Sequence, residues 1–151
     1  MTKYLVIALG GALGAITRYL IGNLISSYFN SGFPWGTFII NITGSFIIGF
    51  FLTLIGEQIN VSPQWRLAIA VGFVGAYTTF STFEYELLKL IEGNNISTSF
   101  FYVIASLLVG FLAVWGGAVT SRSLGTKAVG VYRDYKADST VANKNLRSRG
   151  D

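Results

Sequence analysis

Between Val71 and Glu86 the chain reads VGFVGAYTTFSTFEYE. Five hydroxyl-bearing residues, Tyr77, Thr78, Thr79, Ser81 and Thr82, surround Phe80 and Phe83, and Glu84 and Glu86 follow. Hydroxyls donate hydrogen bonds without carrying charge. A phenyl ring has a negative face and a positive edge, and residues three apart, such as Phe80 and Phe83, share one face of a helix. Ring edges combined with neutral donors make a site for a small anion that needs no full positive charge. Phenylalanines at this spacing are more often plain core, so the surrounding donors are what single the pair out. The same stretch offers a second chemistry. Gly75 followed by a β-branched, hydroxyl-rich run is poor helix material. A break there frees backbone carbonyls, which suit a hard cation such as Na⁺.

Other polar residues sit at helical spacing in apolar surroundings. In GTFIINITGSFIIGF, Thr37, Asn41, Gly44 or Ser45, and Ile48 or Gly49 fall on one face. An unmet amide in hydrocarbon costs several kcal/mol, so Asn41 must find a partner. Glue between helices and a ligand lining a pore are both open to it. Tyr102, Ser106, Gly110 and Gly117 form a matching face near the end of the chain. Ser106 can bond its own backbone, and Tyr102 can anchor at an interface. In GGALGAITR, Gly10, Gly14 and Arg18 recur every four residues. The glycines read as a close-packing seam. Arg18 is a charge inside an apolar run, which marks a function or an interface unless the side chain snorkels out.

These residues are embedded in a chain of 151 residues that is 52% hydrophobic and 12% charged, with mean hydropathy +0.55. Soluble domains carry about 25% charged residues, so the composition is that of a membrane protein. Histidine and cysteine are absent, which removes disulfides, thiol catalysis and the commonest transition-metal ligands. Apolar runs cover 4–20, 35–55, 67–83 and 100–119, and only the first holds a charge, Arg18. Each is close to the ~17–25 residues of a transmembrane helix. Four strands of that kind are excluded, because an open sheet edge cannot sit in lipid. The first run lacks an A-x-A-type site and does not read as a cleaved signal.

The expected architecture is all-α, with four transmembrane helices in residues 1–120, the third of them broken near its middle. Residues 121–151 read as a basic, polar, flexible extension. Up to Thr120 the charges cancel, so the whole net charge of +4 lies in that extension. Four spans place both termini on one side, and the positive-inside rule makes it the cytoplasmic side. The basic tail reads as a solvated topology signal rather than a nucleic-acid site, and no nucleic-acid partner is expected.

In combination, GGALGAITRY at 10–19, GTFIINITGSFIIG at 36–49 and GFVGAYTTFSTFE at 72–84 resemble the Fluc (CrcB-like) fluoride ion channel family. The resemblance covers residues 3–120, with the motifs in the family's order and spacing. It implies an antiparallel, dual-topology dimer in the cell membrane, with two fluoride pores at its interface. By this similarity Asn41 hydrogen-bonds fluoride, and Phe80 and Phe83 form a ring-edge pair with the rings of a second subunit. Thr37, Tyr102, Ser106 and Glu86 lie along the polar route, with Ser81 and Thr82 as further hydroxyls. The carbonyls of Gly75 and Thr78 hold a structural Na⁺ at the dimer centre. The family's usual Gly-Gly is Gly75-Ala76 here, which leaves those carbonyls in place. No organic cofactor and no enzymatic activity are implied.

A tail that fixes one orientation sits awkwardly with a dimer needing both, so pairing with an oppositely biased homologue is a second expectation. The first rival reading is a small four-helix drug/proton antiporter, which needs a membrane carboxylate that only Glu84 or Glu86 can supply. A non-transporting scaffold and an intramembrane hydrolase are the others, and the last has no His or Cys to activate a serine.

Overall fold

In the computed structural model the described residues are 1–29, 32–59 and 61–147, with side chains described as far as Gly125. Every regular element among them is helical. Helix α1 runs Thr2–Tyr28 and α2 runs Trp35–Glu57. The third span is composite. It starts as a short α3, Pro63–Arg66, continues as a π-helix over Leu67–Val74 and ends its first half in α4, Gly75–Tyr77. Its second half is α5, Phe80–Glu92. Helix α6 is a single element from Ile96 to Arg147. Its backbone stays helical through 121–147, the stretch read from sequence as an extension, and residues 148–151 lie outside the described ones.

Among the described residues four helical segments are long and apolar enough to cross a membrane, at Thr2–Tyr28, Trp35–Glu57, Pro63–Glu92 and Ile96–Gly125. The chain is a multi-pass membrane protein. Their connections are short, and Asn94, at φ 57°, turns the chain between α5 and α6. Asparagine is among the few residues with a side chain that adopt this left-handed conformation readily.

Two helix pairs carry the packing, α1 with the first half of the third span and α2 with α6. Both use small residues to bring backbones together, as membrane helices do where no hydrophobic effect separates lipid from side chain. A Cβ on Gly10 would run into the Ala68 carbonyl, and one on Gly14 into the Phe73 carbonyl. From the other side Gly72 faces the Ile7 carbonyl and the Gly10 Cα. The seam read from the four-residue spacing is therefore a contact within this chain. Gly49 against Val114 and Gly117 against Phe46 do the same for α2 and α6. Among the described residues the buried large side chains are Ile40, Val74, Tyr77, Leu90 and Tyr102, contributed by α2, both halves of the third span and α6. Elsewhere large apolar residues such as Leu13, Leu107 and Phe111 are exposed, as a lipid-facing surface requires.

Candidate functional site around the helix break

The third span breaks at Thr78 and Thr79. Both are extended, with φ/ψ of −79°/157° and −149°/119°. The expected window was 75–78, so the break falls at its end and one residue beyond. Local chemistry explains the position. The Thr78 hydroxyl donates back to the Val74 carbonyl at 3.0 Å, ending the first half. Thr79 then caps the second half, its Oγ1 accepting the Thr82 amide at 3.3 Å while donating to Thr82 Oγ1 at 2.9 Å. Threonine in extended backbone at this position is a favoured N-cap.

Asn41 holds the break open from α2. Its Nδ2 donates to the Thr79 carbonyl at 3.0 Å, and its Oδ1 accepts the Thr79 amide at 2.9 Å. The side-chain amide thus pairs with a backbone residue much as a neighbouring strand would. Gly44, one turn on, gives α2 room to approach, since a Cβ there would meet the Thr78 methyl and the Tyr77 ring. Tyr77 is buried and its hydroxyl shares a 2.8 Å hydrogen bond with Thr43 Oγ1.

These bonds redirect two helical donors. In an unbroken helix the Thr79 amide would point at the Gly75 carbonyl and the Thr82 amide at the Thr78 carbonyl. Here the first goes to Asn41 and the second to the Thr79 hydroxyl. Gly75 and Thr78, named from the sequence as Na⁺ ligands, are thus among the carbonyls that the break leaves without their helical donors, as a helix C-terminus does for its last turn. Gly75 and Thr78 also line an open cavity of about 360 Å³ together with Asn41, Ser45, Thr79 and Phe80. An oxygen donor set of this kind fits a hard cation.

Beyond the break, Phe80 and Phe83 lie with ring centroids 5.9 Å apart and planes inclined by 32°. Phe83 packs edge-on against Tyr102, 4.8 Å between centroids and 61° between planes. Phe80 is 71% exposed in the single chain, so among the described residues nothing covers it. Farther along α5, Glu86 joins two helices. Its Oε1 accepts the Thr37 hydroxyl at 2.7 Å and its Oε2 accepts the Tyr102 hydroxyl at 2.9 Å. Thr37 and Tyr102 are both buried. The hydroxyl of Ser106, one turn along α6 from Tyr102, is buried without a hydrogen-bond partner among the described residues.

A second cavity, of about 590 Å³, opens between α1, α2 and α5. Arg18, Asn23, Thr37, Thr79, Thr82 and Glu86 contribute to its wall. Of the residues singled out in the sequence, Asn41, Phe80, Gly75 and Thr78 meet at the smaller cavity, and Thr37, Thr82, Glu86 and Arg18 at the larger. Ser81 is exposed and lines neither. Gly10 and Gly14 belong to the α1 seam.

The sequence reading gave Thr79 a hydroxyl and no more, although it is the residue Asn41 grips and the cap of α5. The signal lay in the T-F-S-T spacing, in which a threonine precedes an amide three residues on. The reading also missed a polar fastening between the end of α2 and the middle of α6. Arg122 forms a forked ion pair with Glu57, its Nη2 2.8 Å from Oε1 and its Nε 2.9 Å from Oε2. Beside it the Gln58 amide donates to the carbonyl of the fully buried Ser121 at 2.6 Å.

Comparison with known proteins places this geometry. Residues 5–118 match the family described as CrcB-like protein, Camphor Resistance (CrcB). A protein of Acidobacterium capsulatum named fluoride-specific ion channel FluC is 51% identical over 122 residues, covering 81% of this chain and 98% of that protein. A protein of the same name from Solibacter usitatus is 44% identical over 120 residues, 80% and 98% of the two chains. Another from Sulfurihydrogenibium sp. is 42% identical over 124 residues, 82% and 100%. The matches take in all four spans, the helix break and both cavities, and the chain belongs to the CrcB-like family, the fluoride ion channel family that its three motifs resemble.

Proposed function

We propose that the chain forms a fluoride-selective channel through which the anion leaves the cytoplasm passively, down its electrochemical gradient. It is a membrane protein of a family named for ion channels and is not an enzyme. The observation that carries the reading is the Asn41–Thr79 clamp. It fixes a break at membrane depth and leads directly into Phe80 and Phe83. An amide nitrogen has two N–H donors, and the clamp uses one, which leaves Asn41 a donor for the anion. Phe80 and Phe83 supply ring edges, and the hydroxyls of Thr37, Thr82, Tyr102 and Ser106, with Ser81 beyond them, extend the polar route past Glu86.

The physics suits fluoride. It is small, tightly hydrated and a strong acceptor, and a narrow path of donors can replace its water, as rings of carbonyls do for potassium. Chloride is larger and accepts more weakly, so it regains less of the hydration it loses. No coupling reaction is needed. A potential that is negative inside supplies about 2.3 kcal/mol per charge per 100 mV for expelling an anion.

The active unit in this reading is an antiparallel dimer in the plasma membrane, with a second subunit covering Phe80 and two pores at the interface. Its partner is this chain itself or a homologous one. In a copy oriented by the basic extension both termini face the cytoplasm. The carbonyls of Gly75 and Thr78 would hold a structural Na⁺, joined by the same groups of the second subunit. A bound Na⁺ supplies a fixed charge that ties the two broken helices together.

Efflux from liposomes containing only this protein tests the reading. Fluoride should leave when its charge is compensated by a potassium ionophore, with no proton gradient, and chloride should stay. Retention of fluoride, or efflux that demands an opposing proton gradient as an antiporter would, overturns it. A conducting two-subunit assembly made from this chain alone would dispose of an obligatory homologous partner.

A further inference from the structure

We propose that the extension of α6 docks through one basic face on the headgroups of an anionic lipid surface. The inference does not use the channel reading. It is carried by the register of charges on a continuous helix. The backbone of α6 is helical from Ile96 to Arg147. At 3.6 residues per turn, Arg133, Lys136, Lys144 and Arg147 fall within an arc of about 80°. The acids of the same helix, Asp134 and Asp138, share with Lys127 a face about 140° away. Arg122 heads the basic face but is already held by Glu57, so the stripe proper is the other four. Arg122, Arg133 and Lys144 recur every eleven residues, as do Lys136 and Arg147. Eleven residues are close to three whole turns, so the stripe keeps its face over the roughly 21 Å from Arg133 to Arg147.

Orientation in the membrane does not explain this order. The positive-inside rule counts Lys and Arg near a span, whatever face they occupy. Angular order matters only where a helix presents one side to a surface. The family match ends at residue 118, so the shared channel architecture does not account for the stripe either. Position names the occupant. The extension begins where the fourth span, Ile96–Gly125, ends, and the polyanion within its reach is the lipid leaflet. Basic clusters next to a span bind anionic headgroups, each Lys or Arg tightening attachment about fivefold. Tyr132 falls about 40° from Lys136, at the edge of the stripe, and tyrosine suits the headgroup level. Docking requires the helix to turn away from the axis of the span. Gly125 and Gly130 lie between Arg122 and Arg133, and glycine is where a helix bends at least cost.

The chain has no cysteine, so Ser139→Cys gives the full-length protein a single nitroxide on the extension. The protein is compared in nanodiscs of phosphatidylcholine and of phosphatidylcholine mixed with phosphatidylglycerol. Both leaflets of a disc are alike, so orientation does not matter. Phosphatidylglycerol should draw the label to headgroup level and cut its collisions with a water-soluble relaxation agent several-fold. Salt near 1 M, where the Debye length is about 3 Å, should reverse the change. A register variant, Val131→Arg, Arg133→Val, Ala142→Lys and Lys144→Ala, keeps composition and net charge but moves two stripe charges to the acidic side. Its ratio of docked to undocked label should fall about 25-fold, two residues at about fivefold each.

A label equally accessible with and without phosphatidylglycerol overturns the proposal. So does a register variant that docks as tightly as the original, because net charge alone would then suffice. A label immobilised by a duplex oligonucleotide on neutral discs, and not by phosphatidylglycerol, makes a nucleic acid the occupant and also overturns it. Fluoride flux enters none of these outcomes, so the channel reading stands or falls separately.

Discussion

Replacing Asn41 with alanine should both destabilise the fold and close the helix break. The side chain makes two hydrogen bonds to one backbone residue, Nδ2 to the Thr79 carbonyl at 3.0 Å and Oδ1 from the Thr79 amide at 2.9 Å. Thr79 is buried, 9% exposed. A buried polar group deprived of its partner costs ~1–3 kcal/mol, so the two losses together reach about 2–6 kcal/mol. Part is recoverable. The Thr79 amide can turn back to the Gly75 carbonyl if the helix closes, at the expense of the α5 cap, itself worth about 1 kcal/mol. The two adjustments nearly cancel, and the net cost stays above about 2 kcal/mol. Reversible unfolding in mixed micelles measures it, and hydrogen exchange at the Thr79 amide reports the state of the clamp. Asn41→Asp is the informative companion, because it keeps an acceptor for the amide and loses the donor to the carbonyl. If Asn41→Ala unfolds within about 0.5 kcal/mol of the unsubstituted protein, the size of an ordinary surface change, and the Thr79 amide exchanges as slowly as before, then the clamp does not hold the break.

The remaining predictions use other contacts. Gly44→Ala drives a methyl into Thr78 and Tyr77 and should cost about 1–3 kcal/mol, read as a lowered unfolding midpoint. Phe80→Ile, at a 71% exposed ring, should leave single-chain stability within about 0.5 kcal/mol but abolish fluoride efflux. Phe83→Ile should do likewise to efflux while costing more stability, because it also gives up the edge contact with Tyr102. Arg122→Gln removes an exposed ion pair and should cost no more than about 1 kcal/mol, an effect that shrinks in high salt.

The spans were legible because a bilayer imposes a length and an apolarity that few other structures share. The glycine seam of α1 was legible because close backbone approach in lipid leaves a small-residue repeat, whereas Gly49 and Gly117, read only as members of polar faces, form a second seam. The composite third span was readable only in outline. Hydroxyls and Gly75 announced a weak helix, but the same letters allow the break anywhere from 75 to 79. What places it is tertiary. Asn41 reaches Thr79 from another helix, across 38 residues of sequence. The π-helix at Leu67–Val74 has no local signature at all, since its letters are plain apolar ones. The meeting of Thr37, Glu86 and Tyr102 came from family resemblance and not from spacing, because three residues on three helices share no period. Glu57 with Arg122 was missed for the same reason. Read by letters alone, one was a helix-end acid and the other part of a basic tail.

Glu86 bears most directly on how such a route could discriminate between anions. A carboxylate is an unexpected neighbour for a passing anion, and here it already holds the Thr37 and Tyr102 hydroxyls. An anion on this route cannot simply collect those two donors. It must win them from an acceptor that is ionised or strongly polar and that holds them at 2.7 and 2.9 Å. Bonds to ionised acceptors are worth about 1.5–3 kcal/mol each, so a weak acceptor loses this exchange and a strong one can break even. Fluoride is the halide for which the trade comes closest to balance, and chloride falls short at both hydroxyls. Donors that are not committed in this way, the unpartnered Ser106 hydroxyl and the second N–H of Asn41, can receive an ion without displacing anything. In the proposed pore the selective step therefore lies at Glu86, between donors that are free, and Glu86→Gln should relax the preference for fluoride over chloride more than it lowers fluoride flux. A variant that conducts fluoride with its selectivity intact would show that the carboxylate does not compete for the hydroxyls and that discrimination arises at the phenyl rings instead.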